Sequence, residues 1–168
     1  MHEPQRPTNE EDRLEALRQL LVLDTPPEER FDRLTAFAAQ EFDVPMALLS
    51  LIDDDRQWFK SRVGMGPCET SRDISFCGHA ILQNDVMVVP DATQDERFAD
   101  NPLVTGDPHI QFYAGAPLQM PGGHNVGTLC LLDHKPRSLD AIDLAILGSL
   151  RDLAVEELLR RKDGATAP

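Results

Sequence analysis

The seven residues Met46–Ile52 read Met-Ala-Leu-Leu-Ser-Leu-Ile and run straight into Asp53, Asp54 and Asp55. A run this apolar and this short, ended by three aspartates, reads as the central strand of a sheet followed by a turn. Other segments supply its neighbours. Arg56–Val63 reads as a hairpin partner, and residues 86–89 form a short strand ended by Pro90. Ile110, Phe112, Ala114, Ala116 and Leu118 alternate as a half-buried strand does. A Pro121-Gly122-Gly123 turn then leads into a last strand at residues 126–132.

Helical signals lie at both chain ends. Thr8 and Glu11 have capping-box spacing ahead of Leu14, Leu17, Leu20 and Leu21. Thr25, Pro26 and Glu28 mark a second start, with Phe31, Leu34, Ala38 and Phe42 on one face and Pro45 as the stop. Ser75 is placed to cap a short helix reaching Leu82. Residues 64–74 and 91–109 read as loops, the second holding at most a short helix at 96–99. Ser138 is placed to cap a final helix that carries Asp140 and Asp143 near its start and Arg160, Arg161 and Lys162 near its end. The expected domain is 9–162, with tails at 1–8 and 163–168. The order α-α-β-β-α-β-loop-β-β-α predicts an α+β fold. Its sheet is antiparallel and five- to six-stranded, with the helices grouped on one face.

Composition removes several function classes. With 168 residues there is room for one such domain and no separate output domain, so a signal is expected to leave by contact with another chain. A net charge of -13 argues against binding nucleic acid or an anionic membrane surface. No apolar stretch suits a membrane span or a signal peptide, and the three cysteines, Cys68, Cys77 and Cys130, form no CxxC pair. A reducing cytoplasmic location is expected. There is no phosphate loop and no G-x-S-x-G elbow, and His2, His109, His124 and His134 lack metal spacing. Cys77 and His79 stand two apart and point in different directions on a helix, which disfavours a shared metal.

Four ordered stretches carry a family resemblance. They are Ser75-Phe-Cys-Gly-His-Ala-Ile81 after Arg72-Asp73-Ile74, Val88-Val-Pro-Asp-Ala92 leading to Asp95-Glu-Arg-Phe-Ala-Asp-Asn-Pro-Leu-Val104, Phe112-Tyr-Ala-Gly-Ala-Pro-Leu118, and Val126-Gly-Thr-Leu-Cys-Leu-Leu-Asp133. In this order the chain, from about Arg13 to Arg161, resembles the GAF domain family, particularly GAF domains ahead of bacterial histidine kinases and diguanylate cyclases. The resemblance implies sensing or regulation rather than catalysis, and a pocket on one sheet face roofed by the short helix and the long loop. The implied pocket residues are Phe76, Cys77, Asp91, Phe98, Asn101, Phe112, Ala114 and Leu129. No cofactor is predicted, and any small-molecule ligand is unspecified. Bilin attachment is disfavoured because Gly78 separates Cys77 from His79. Cyclic-nucleotide binding is disfavoured because no Phe is followed four residues later by Asp-Glu. Cys77 reads first as a small buried packing residue.

Two alternatives compete. The free methionine-(R)-sulfoxide reductases are single GAF domains of similar length with three cysteines, but residues 91–109 lack the loop cysteine of that family. A ligand-free dimerisation scaffold is the other. The final helix carries apolar residues at 142, 146, 150 and 153 and again at 144, 147, 154 and 158, a stripe wider than one sheet face requires. That width predicts a homodimer through the terminal helices. A histidine kinase or diguanylate cyclase is the implied effector, presenting a basic surface or meeting the apolar helices.

Overall fold

The computed structural model describes residues 1–166. Six strands, β1 (Met46–Ile52), β2 (Arg56–Val63), β3 (Glu69–Ser71), β4 (Met87–Val89), β5 (Phe112–Gln119) and β6 (Asn125–Asp133), form one antiparallel sheet in the order β3-β2-β1-β6-β5-β4. The apolar run β1 lies near the centre, paired with β2 on one edge and β6 on the other. The architecture is α+β, as the sequence predicts. The strand β3 falls inside the stretch read as loop.

Every residue of β1 and β6, and Phe112 to Leu118 of β5, is buried. The sheet is therefore covered on both faces, and the half-buried reading of β5 is corrected. Helices α1 (Glu10–Gln19), α2 (Glu29–Phe42) and α5 (Ala141–Thr166) cover one face. Leu17, Leu20, Phe31, Phe42, Leu147 and Leu158 pack there on Leu49, Leu51, Phe112 and Leu129. The other face lies under a lid made of α3 (Phe76–Ala80), α4 (Pro102–Thr105) and the loops around them.

Helix starts differ from the expected caps. Asn9, not Thr8, precedes α1, and it makes no side-chain cap; its side-chain amide nitrogen meets the His124 ring at 3.2 Å instead. Helix α2 begins three residues after Pro26, since Thr25 donates to the Val22 carbonyl and accepts from Lys60 Nζ instead of capping. Asp140, not Ser138, starts α5: its carboxylate accepts the Asp143 amide at 2.8 Å, and the Asp143 carboxylate accepts the Asp140 amide at 3.1 Å. The helix continues through residues 163–166, read as tail; 167 and 168 lie outside the described residues.

Residues 1–8 do not hang free. The His2 amide donates to the Arg97 carbonyl at 3.1 Å, the His79 ring meets the His2 carbonyl at 3.0 Å, and Arg6 pairs with Asp54 at 2.8 Å. Pro4 lies on Gly78, where a β-carbon would come within 2.7 Å of the proline ring, so glycine admits this strap across α3.

Candidate functional site

Local chemistry builds the lid. Ser75 caps α3 by accepting the Gly78 amide at 3.1 Å, as its position predicts. Asp91 accepts the Thr93 amide and hydroxyl and closes a turn. Asp95 holds Arg97 through its amide and guanidinium, and this pairing keeps the Asp95 carboxyl below its ordinary range. The expected helix at 96–99 is a set of turns. The helical turn forms instead at α4, where Asn101 accepts the Leu103 amide at 2.9 Å and donates to the Ile74 carbonyl at 3.0 Å. Asn101→Ala removes both bonds from a buried group and is expected to lower stability by about 1–2 kcal/mol in urea denaturation.

Aromatic rings fill the space beneath. Phe98 stacks on Phe76 with centroids 4.0 Å apart and planes 6° apart. The His79 ring meets Phe98 edge-on at 4.9 Å, and the Arg97 guanidinium lies 5.0 Å from the same ring. Tyr113 reaches across from β5, 5.3 Å from Phe76. Its ring occupies the place where a side chain on Gly115 would stand, with the Tyr113 hydroxyl 2.1 Å from an added β-carbon. The small residues of β5 thus make room for Tyr113 from the same strand. What remains is a cavity of about 10 Å³ bordered by Leu48, Gln57, Thr70, Cys77, Tyr113 and Cys130. That is room for about one water molecule.

Of the eight residues expected in the pocket, Phe76, Cys77 and Phe98 meet under the lid, while Asp91 and Asn101 shape its backbone. Phe112, Ala114 and Leu129 lie on the opposite face, in the helix-side core. The alternation that relates Ile110 to Phe112 breaks before β5 starts, so Ile110 joins Tyr113 on the lid face. The residues missed are Ser50, Gln57, Tyr113, Thr128 and Cys130. Ser50 and Thr128, single polar residues within apolar strands and paired across β1 and β6, were the available signal.

Cys77 is the centre of this cluster. Tyr113 Oη and Thr128 Oγ1 each donate to its Sγ at 3.1 Å, and Cys130 Sγ lies 3.8 Å away. Burial pushes the Cys77 thiol up, but the hydrogen-bonding side chains around it, Cys130, Thr128, Tyr113 and Ser50, outweigh this and bring the thiol below its ordinary range. Burial pushes Tyr113 and Cys130 up, and Cys77 adds to it, first by its charge at Tyr113 and first by its hydrogen bond at Cys130. Of the two buried thiols Cys77, rather than Cys130, is therefore placed to ionise inside the fold. Cys68 is exposed on the loop before β3. A much larger cleft, about 720 Å³, opens beside α2 and β2, between residues such as Asp32, Trp58 and Lys60. Its polar groups satisfy one another: Ser61 joins Asp32 and Thr35, and Lys60 Nζ meets Thr25, Pro26 and Glu28.

The GAF domain family profile matches residues 26–158. The chain belongs to the GAF domain family. The domain is 44% identical over 148 residues to a cyclic di-GMP phosphodiesterase of Pseudomonas aeruginosa, covering 88% of this chain and 25% of that protein. It thus spans a quarter of the length of that relative. In fold it is similar to the GAF domain of a phosphoenolpyruvate-protein phosphotransferase from Coxiella burnetii, with a TM-score of 0.66 at 16% identity over 94% of this chain and 99% of that one. It is also similar to the free methionine-R-sulfoxide reductase of Neisseria meningitidis solved with its substrate, with a TM-score of 0.65 at 18% identity over 99% of this chain and all of that one. At such identities the likeness is one of fold. Among its described residues no helix is long and apolar enough to cross a membrane, and no group of three or more His, Cys, Asp or Glu could hold a metal ion.

Proposed function

We propose that this GAF domain is a regulatory, non-catalytic module of a signalling protein, and that it passes its state on through the outer face of α5 to a second copy of itself. The signalling role is supported by the 44% identity to a protein named as a cyclic di-GMP phosphodiesterase. The observation that carries the interface is the exposure of α5. Ile142 is 71% exposed and Leu153 47%, and Ala145 and Ser149 continue the same stripe at spacings of three and four. Leu147, Leu150, Ala154 and Leu158 already fill the side that faces the sheet. An apolar stripe that continues away from its own core has the geometry of a helix–helix seam. Its charged border suits a homologous partner: Glu157 and Arg160 are paired at 3.0 Å, so a second α5 brings both signs. The output domain, whether in the same polypeptide or another, belongs to the same proposal.

A reductase acting on methionine sulfoxide has less support. The space at Cys77 is about 10 Å³, and Cys68 lies exposed outside it. Sedimentation tests the interface. The wild-type chain is expected to dimerise, and Ile142→Glu with Leu153→Lys is expected to sediment as a monomer with unchanged far-UV dichroism. A wild-type chain that stays strictly monomeric at high concentration overturns it.

A further inference from the structure

The lid face of the sheet is mostly apolar, and a line of polar side chains crosses it toward a pair of thiols. It begins at Thr70 on the half-buried edge strand β3. Gln57 donates to Thr70 Oγ1 at 3.0 Å, and Ser50 donates to Gln57 Oε1 at 3.0 Å. Ser50 lies opposite Thr128 in the β1–β6 register, and Thr128 Oγ1 donates to Cys77 Sγ at 3.1 Å. Tyr113 adds a second donor, and Cys130 stands next to the sulfur at 3.8 Å. Polar groups buried in an apolar layer cost free energy unless they are paired, and a core built only for packing needs none of them. Here they converge on one sulfur.

We propose that Cys77 and Cys130 are a dithiol site oxidised by hydrogen peroxide, with Cys77 as the attacking and Cys130 as the resolving thiol. The cavity selects the oxidant. It touches both cysteines and has room for about one water molecule. Hydrogen peroxide is close to that size, whereas glutathione disulfide and methionine sulfoxide are many times larger. In the first step Cys77 loses its proton and its sulfur attacks one peroxide oxygen. The O–O bond breaks, a sulfenic acid forms, and the departing hydroxide takes up the proton given up by Cys77 to become water. In the second step the Cys130 sulfur attacks the Cys77 sulfur. The S–O bond breaks, and the leaving hydroxide takes the Cys130 proton as a second water. Two thiols become one disulfide, and peroxide becomes two waters.

A disulfide is shorter than the present sulfur separation, so oxidation draws α3 toward β6. Helix α3 carries Phe76, stacked on the lid residue Phe98, and it carries Gly78 and His79 beneath the strap formed by residues 1–8. The lid and the strap therefore feel the change first. The chemistry stands without the interface proposed on α5; only its use as a signal rests on the regulatory reading.

The test uses the full chain and its Cys68→Ser variant, in which the pair are the sole thiols. Each is treated with hydrogen peroxide, quenched with catalase, denatured with iodoacetamide and weighed by mass spectrometry. The variant is expected to lose two hydrogens, take up no alkyl group and yield a Cys77–Cys130 linked peptide that dithiothreitol releases. With Cys130→Ser added, Cys77 is expected to stop at the sulfenic acid and be trapped by dimedone. Tyr113→Phe is expected to slow oxidation roughly tenfold, the effect of one hydrogen bond to a charged group. Full alkylation of both cysteines at peroxide doses that oxidise Cys68 overturns the proposal, as does a Cys68–Cys77 link in the wild type. Equal rates with glutathione disulfide overturn the choice of oxidant. None of these results bears on the sedimentation of α5 variants, so the two proposals fail separately.

Discussion

Tyr113→Ala is expected to lower the stability of this domain by about 3–5 kcal/mol, the cost of truncating a large buried side chain whose surroundings collapse only in part. Tyr113 is fully buried, rests on Phe76 and covers the backbone at Gly115. Gly115 has no side chain to move into the vacated space. The hydroxyl also holds Cys77, so that bond goes with the ring. Urea denaturation should show a lower midpoint with an unchanged slope, which locates the loss in the folded state rather than in a change of unfolded compactness. The same variant reopens the space that the ring closes. A phenol-sized ligand such as p-cresol is expected to raise the melting temperature of Tyr113→Ala and leave the wild type unmoved. A loss under about 1 kcal/mol, or equal ligand response in both proteins, means that the ring does not close the pocket.

Much of the fold was readable from period and punctuation. The apolar run of β1 and its three aspartates located the sheet centre, and Ser75 marked the start of α3 to the residue. Which face of each strand meets the lid was not readable. Period-2 alternation orients a strand only when one face is wet, and both faces of β5 and β6 are buried. With nothing polar to orient it, the alternation through Ile110 carried Phe112 and Ala114 to the lid side, although they pack under the helices, as does Leu129 on β6. The useful information lay in the exceptions, Ser50 and Thr128. Polar residues in an otherwise apolar run must find partners, and they point to the buried cluster. Residues 1–8 posed a different problem. Their composition is that of a tail, and their order comes from Gly78, Arg97 and Asp54, which only the tertiary fold brings near.

Glu10→Gln is expected to cost about 3 kcal/mol at neutral pH, because it leaves two buried cations without their counter-charge. Arg13 is 1% exposed and donates to the Glu10 carboxylate twice, at 2.9 Å each, and to the Ile52 carbonyl at 2.8 Å. Arg72, 3% exposed, donates to the same carboxylate at 2.5 and 3.2 Å and to the Asp53 carbonyl at 3.0 Å. Its own carbonyl accepts from Ser75, the cap of α3. One carboxylate thus ties α1 to the end of β1 and to the base of the lid. Burial pushes the Glu10 carboxyl up, but the hydrogen bonds and charges of Arg13 and Arg72 more than reverse this and hold it at about 2. A carboxyl with a depressed folded-state pKa contributes stability that is complete above its unfolded value and is lost as pH falls through the folded one. The wild type should therefore lose about 2 kcal/mol more than Glu10→Gln between pH 5 and pH 2, a figure reduced for the solvent contact Glu10 keeps. The other paired carboxylates, Asp24, Glu28 and Asp95, titrate alike in both proteins and cancel in the difference. Urea midpoints measured across that range give the answer directly. Curves that converge toward pH 2 assign the stability to charge, whereas a constant gap assigns it to the guanidinium hydrogen bonds that the glutamine NH2, itself a donor, cannot accept.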